Sequence, residues 1–251
     1  MEKIITRNLA GLTLCARYAF MPNKLKYCGP SNERTLFDYA ASGLVDEGLV
    51  EMLEKFETMY PYLKLIAKAN KIKDPFDKRV VEAYWLGNSL LNKVEMNSLY
   101  LSLLDDHHLK KRLNTKIFNE LIFKIPIGAK PHHAFHVLNI FIRTGKDKIK
   151  HTLSTMQSCI ITVGRVKGVS NTDELTVEAD SLDFQEGKII VTYRERKVRY
   201  NFFNQKLIDD IQIGDFVSLH WDFTCDKLNL NQTNKLRAWN QYHLNLANLT
   251  I

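Results

Sequence analysis

The chain has 251 residues, of which 45% are hydrophobic and 25% charged, a balance that suits a folded protein with one large core or two modest ones and excludes disordered, collagen-like and low-complexity scaffolds. The formal net charge of +7 is unevenly placed: the first 156 residues hold 24 Lys and Arg against 16 Asp and Glu, and the remainder 11 against 12. The basic part carries no RNA-recognition signature or zinc finger and no interleaving of aromatic with basic residues, so nucleic acid is not the expected partner and an acidic protein fits the charge as well. No run of about eighteen apolar residues occurs and Met1–Thr6 lacks a secretory pattern, which leads to the expectation of a cytoplasmic protein that does not meet a membrane. Cys15, Cys28, Cys159 and Cys225 form no CxxC pair and are read as free thiols.

In chain order, the apolar residues recur at helical spacing up to about Thr155, as in Leu44, Leu49, Met52, Leu53 and Phe56. The segment from Arg17 to Ser31 holds Pro22, Gly29 and Pro30 and predicts a structured loop between two helices. Asp74 and Pro75 predict an N-cap and first turn for a helix over 76–86 closed by Gly87, Asn88 opens a long segment to about Leu109, and a further helix spans 131–143. After Ser158 the period becomes two: Cys159, Ile161 and Val163 predict the first of several short strands, with turn chemistry at Asn171, Asp173, Gln185, Glu186, Gly187 and Gly214. Asn229 or Asn231 caps a last helix whose Leu236, Trp239, Tyr242 and Leu246 form an apolar stripe. The expected fold class is therefore α+β: an all-α domain over residues 1–150, then a small OB-like β-barrel with a C-terminal helix over 156–251, joined by a polar, basic linker near 145–157.

Two motifs in the second half carry a resemblance. Met156-Gln-Ser-Cys159-Ile-Ile-Thr-Val-Gly164 places a glycine five residues after a cysteine, and Ile213-Gly214-Asp215-Phe216-Val217-Ser218-Leu219-His220 precedes Trp221, Cys225, Lys227 and the final helix. Over residues 156–245 the chain resembles the HypC/HupF family of nickel-iron hydrogenase maturation chaperones. That resemblance implies a small OB-like barrel in which Cys159 holds an iron carrying cyanide and carbon monoxide ligands. His220 matches the family's strand histidine, and the implied partners are a HypD-like maturation protein and the hydrogenase large-subunit precursor. The match departs from the family in that Cys159 follows a helical region, Val163 stands where the family has proline, and residues 182–205 lengthen the barrel. The first half resembles an uncharacterised bacterial family through Pro22-Asn-Lys-Leu-Lys-Tyr-Cys-Gly-Pro30 and Pro131-His-His-Ala-Phe-His136, with no chemistry attached.

Each candidate residue has a functional and a packing reading. Cys159 is a thiolate for soft iron or a small buried hydrophobe at a strand start, and His220 is a ligand or proton group or a hydrogen-bonded core residue. His132 and His136, four apart, are read as sharing one helix face, with His133 orienting the pocket and Tyr27 and Cys28 facing it from the Gly29-Pro30 turn. The alternative is a helix N-terminus whose histidines bond loop carbonyls. His107, His108 and the run Lys110-Lys111-Arg112 read as solvated, Asp215 as a turn residue, Cys225 as packing, and Tyr18 and Phe20 as plugs of the helical core. No nucleophile and base pair, phosphate loop or dinucleotide fingerprint is recognisable, so no catalytic residue is assigned. The expected function is that of an accessory protein for nickel-iron hydrogenase maturation that carries iron transiently. A metal-dependent enzyme of ligand synthesis in the helical domain, and an OB-type nucleic-acid module reading through Tyr193, Arg194, Arg196, Arg199 and Tyr200, are the alternatives.

Overall fold

A computed structural model describes residues 9–30, 33–140, 151–170 and 173–251. The first part is helical: α1 (Leu9–Lys24), α2 (Glu33–Ser42), α3 (Glu47–Glu54), α4 (Met59–Ala69) and α5 (Lys78–Trp85), a 3-10 turn (Ser89–Lys93), then α6 (Met96–Asp105), α7 (Leu109–Arg112), α8 (Thr115–Ile127), α9 (His133–Ile140) and α10 (Leu153–Cys159). Seven strands follow among the described residues, β1 (Thr162–Val169), β2 (Glu174–Gln185), β3 (Lys188–Arg199), β4 (Asn201–Phe202), β5 (Gln205–Lys206), β6 (Phe216–His220) and β7 (Phe223–Leu228), and the last element is α11 (Leu230–Ala247). The fold is thus α+β. Five strands close on themselves in the order β1-β2-β3-β7-β6, while β4 and β5 pair separately. All ladders in the ring are antiparallel except the short β3–β7 closure at Arg199 and Phe223, which is parallel.

Local chemistry sets the helix boundaries. Asp46, Asp77 and Asn114 cap α3, α5 and α8 by accepting backbone N–H groups, and Asn88 does the same for the 3-10 turn. Thr152 with Thr155, and Asn229 with Gln232, form capping boxes at the starts of α10 and α11. Gly87, at φ +84, closes the α5 segment as its position predicts.

Several expectations are corrected. The helix expected at 76–86 starts at Lys78, because Asp74 bonds the Phe76 amide in a preceding turn. The long segment from Asn88 breaks at an extended Val94, and a left-handed His108 (φ +53) separates α6 from α7. Arg17 to Lys24 belongs to α1, not to a loop; Pro22 lies in its last turns, and the loop starts after Lys24. Cys159 ends α10 rather than opening a strand, since the Thr152 capping box nucleates a helical turn from residues expected to be linker. The remainder of that expected linker, and the end of the helix expected to reach Arg143, fall within 141–150, outside the described residues.

The helical part and the barrel share apolar core. Leu12, Tyr18, Phe20, Leu63 and Val80 belong to the same buried cluster as Ile161, Val163, Phe223, Cys225 and Leu236. Tyr18 and Phe20 are fully buried, as expected of plugs, but they plug the seam with the barrel: Phe20 meets the rings of Phe202 and Phe223 at centroid distances of 5.6 and 5.6 Å, and the Tyr18 hydroxyl donates to Ser218 Oγ at 2.8 Å. Arg17 pairs with Asp226 at 3.2 Å across the same seam.

One close approach tests this packing. A Cβ at Gly11 of α1 would lie 1.9 Å from the Phe76 carbonyl oxygen. On helix propensity Gly11→Ala should stabilise by about 1 kcal/mol, but the clash is with backbone, so the sign is expected to reverse. Thermal unfolding should show a loss of roughly 1–3 kcal/mol; an unchanged or raised Tm would refute the approach of α1 to the α5 entry.

Candidate metal centre

The site is built on a proline. Pro22 has no N–H, so the carbonyl of Tyr18, four residues earlier in α1, lacks its helical donor. His220, the last residue of β6, takes that place: its Nδ1 lies 2.8 Å from the Tyr18 oxygen. A carbonyl only accepts, so Nδ1 carries the proton and Nε2 presents its lone pair. Nε2 is buried with no hydrogen-bond partner among the described residues.

Cys159 reaches His220 through the backbone. The Trp221 N–H donates to the Ser158 carbonyl at 2.7 Å, tying the end of α10 to the β6–β7 turn. Trp221 and Asp222 form that turn with φ +53 and +56, the left-handed pair of a type I′ hairpin, which is unfavourable for a bulky side chain. Trp221 packs on Tyr27 with ring centroids 4.6 Å apart, so the strained residue closes one wall of the site.

The third group comes from α9. His133 lies against Trp85 at 4.7 Å and His220 at 5.2 Å between ring centroids. One ligand atom each from His133, Cys159 and His220 lies within 4.8 Å of the other two. In a tetrahedral site with two nitrogens near 2.0 Å and a sulfur near 2.3 Å, such atoms would stand about 3.3–3.6 Å apart, so the three donors lie near the spacing that a metal ion would require. Burial pushes His220 down to about 4 and His133 well below its ordinary value of 6.5; the charges of His220 and the other nearby histidines lower His133 further, while the Tyr18 and Cys159 carbonyls pull His220 upward. Both imidazoles are therefore neutral at pH 7, the form that binds metal.

A cavity of about 350 Å³ adjoins the three donors. Tyr27, Cys28 and Gly29 line it, as do His136 and His151. Asn23 fixes this loop by donating to the Cys28 and Pro30 carbonyls at 3.0 and 2.5 Å, while the Tyr27 and Cys28 amides donate to the Pro22 carbonyl. Gly29, at φ +78, has the Phe56 ring 2.4 Å from where a Cβ would stand, which explains the glycine.

The structure thus joins in one place residues that sequence reasoning placed in two. Cys159 and His220 meet His133, which was read as an orienting residue, and Tyr27, Cys28 and His136 share their cavity. His132 does not belong there. The helix starts two residues later than expected, so His132 precedes α9, accepts the Ala134 amide on Nδ1 at 3.1 Å, and stacks on His243 at 5.2 Å. His136 turns to the Tyr62 hydroxyl, 3.1 Å from its Nδ1. His107 is buried rather than solvated, with its nitrogens 3.1 Å from the Ser102 and Thr58 carbonyls, whereas His108 is exposed. Cys225 is fully buried, and Asp215 accepts the Gln212 amide in its turn and pairs with Lys227.

The chain belongs to the DUF6390 family, a family of unknown function, whose sequence profile matches residues 7–251 and so runs through both the helices and the barrel. No curated protein and no solved structure matched the chain. Among the described residues no helix is long and apolar enough to cross a membrane.

Burial lowers six histidines, His107, His132, His133, His136, His220 and His243, below their ordinary value. The folded state then binds fewer protons than the unfolded chain between the unfolded value near 6.5 and the folded values, which are about 3 for His132 and about 4 for His220. Stability is therefore full above about pH 7.5 and is lost as pH falls through 6.5 toward 4. Urea midpoints measured from pH 8 to 5 should decline steeply below 6.5; a flat profile would mean that these rings are not buried neutral.

Proposed function

We propose that the protein is a metal-handling accessory protein with iron as its cargo, acting in nickel-iron hydrogenase maturation with a HypD-like protein and the large-subunit precursor as partners, in the cytoplasm. The observation that carries this reading is the convergence of Cys159 and His220 on His133 within 4.8 Å. Cys159 and His220 are the two residues that the resemblance to the HypC/HupF barrel singles out. The strand order β1-β2-β3-β7-β6 with a parallel β3–β7 closure supports an OB-type barrel, and the final helix follows it as that resemblance implies. One thiolate with two neutral imidazoles is a donor set suited to iron, zinc or cobalt in the divalent state. Three protein ligands leave at least one position for exchange, which a carrier needs.

Here the helical part has a definite task. It supplies His133, the Tyr18 carbonyl that orients His220, and the part of the cavity lining that His220 and Trp221 do not form. The nucleic-acid alternative draws less support, because Arg194 and Arg196 on β3 pair with Asp183 and Asp222 and Tyr200 is buried.

Anaerobic titration with ferrous iron should give one site per chain. Cys159→Ala, His133→Ala and His220→Ala should each weaken it at least tenfold, while His108→Asn, at an exposed histidine that does not line the cavity, should not. In a host that makes a nickel-iron hydrogenase, chromosomal Cys159→Ala should abolish hydrogenase activity with the protein still folded and present. Full activity in that strain would overturn the maturation role, and unchanged iron binding in all three variants would overturn the site.

A further inference from the structure

The donor set leaves a charge imbalance that a ligand must correct. A divalent ion on one thiolate and two neutral imidazoles carries a net charge of +1, and a buried uncompensated charge is costly. Among the described residues lining the cavity the sole carboxylate is Glu57, and Arg112 pairs with it at 3.0 Å. Lys55, at the rim, adds a further positive charge. The space beside the donors is also larger than a diatomic or a water molecule needs: about 350 Å³ against about 30 Å³ of liquid per water. Away from the histidines and the polar Lys55, Glu57 and Thr58, its lining is aromatic and apolar, with Tyr27 and Trp221 in ring contact and Phe56, Met59 and Val137 contributing further apolar surface.

Resting on the metal reading above, we propose that the cavity receives a small aromatic carboxylate, which binds the metal through its carboxylate and lays its ring against Tyr27 and Trp221. The carboxylate restores neutrality at the ion, and the ring fills volume that no side chain among the described residues fills. Lys55 draws the anion to the mouth. The class is set by three features together: negative charge, a metal-binding oxygen, and an apolar planar body small enough for the low end of the range of ligand pockets.

The test uses the full chain loaded with Co(II), whose d–d absorption reports a change of ligand, with sodium azide, acetate and benzoate as probes. A sulfur-to-cobalt charge-transfer band that disappears in Cys159→Ala checks the metal site first; its absence would overturn the metal reading and the proposal with it. With that band present, all three anions should perturb the d–d bands, and benzoate should bind at least tenfold more tightly than acetate, because only its ring is removed from water. Tyr27→Leu and, separately, Val137→Phe, which fills the cavity floor, should retain cobalt and acetate binding and reduce the preference for benzoate to less than threefold. Equal affinities for acetate and benzoate in the unmodified protein, or no anion response, would overturn the proposal while leaving the metal site standing. A preference for benzoate that survives in both variants would overturn the assignment to this cavity.

Discussion

The hydrogen bond from His220 to the Tyr18 carbonyl exists because Pro22 cannot make it. In an uninterrupted α1 the amide at position 22 would satisfy that carbonyl, and the β6 histidine would have no fixed acceptor inside the seam. With proline there, the helix offers one buried acceptor at the height of the β6–β7 turn, and the imidazole that takes it is locked as the Nδ1–H tautomer, 2.8 Å away. Everything chemical in the site follows from this. Nε2 is left as the free lone pair, the turn carries Trp221 over the cavity, and the Trp221 amide holds Ser158 and therefore Cys159 in register with His220. The same residue serves the other wall, since the Pro22 carbonyl accepts the amides of Tyr27 and Cys28.

The seam around that bond is where the two parts of the chain are joined. Tyr18 with Ser218 and Arg17 with Asp226 fix α1 on the barrel, Asn240 of α11 donates to the Ile161 carbonyl at 2.7 Å, and His132 stacks on His243 to hold α9 against α11. A net hydrogen bond contributes only about 1 kcal/mol, so the apolar core shared by α1, α4, α5 and the strands does most of the holding. The polar contacts decide orientation. A donor set drawn from α9, α10 and β6 is assembled only when the helices and the barrel are docked, which couples any metal affinity to the integrity of the whole chain.

Much of the fold was legible in the sequence, because period and capping are local. The change from helical spacing to alternation near residue 158, the Asn229 cap and the Gly87 stop are visible in single stretches of chain. The site was legible only in pieces. Cys159 and His220 came from the resemblance, and Tyr27, Cys28 and His136 from the density of reactive groups in two short motifs. That these form one cavity depends on contacts between residues as far apart as 18 and 220, which no local pattern encodes. His133, and not His132, faces the other donors because α9 starts two residues after the expected position 131; an imidazole able to cap its own helix at His132 is the available signal. Pro22 was read as breaking a helix, whereas near a helix end its cost falls on a single carbonyl, and another part of the chain supplies the donor.

The central claim is that one sulfur and two imidazole nitrogens from three separate elements hold a single metal ion. X-ray absorption at the metal edge of the iron-loaded full chain tests it most directly. The account predicts one sulfur scatterer near 2.3 Å and two imidazoles near 2.0–2.1 Å, with the sulfur lost in Cys159→Ala and one imidazole lost in His133→Ala. A first shell made only of oxygen and nitrogen, or one left unchanged by those two substitutions, would contradict it.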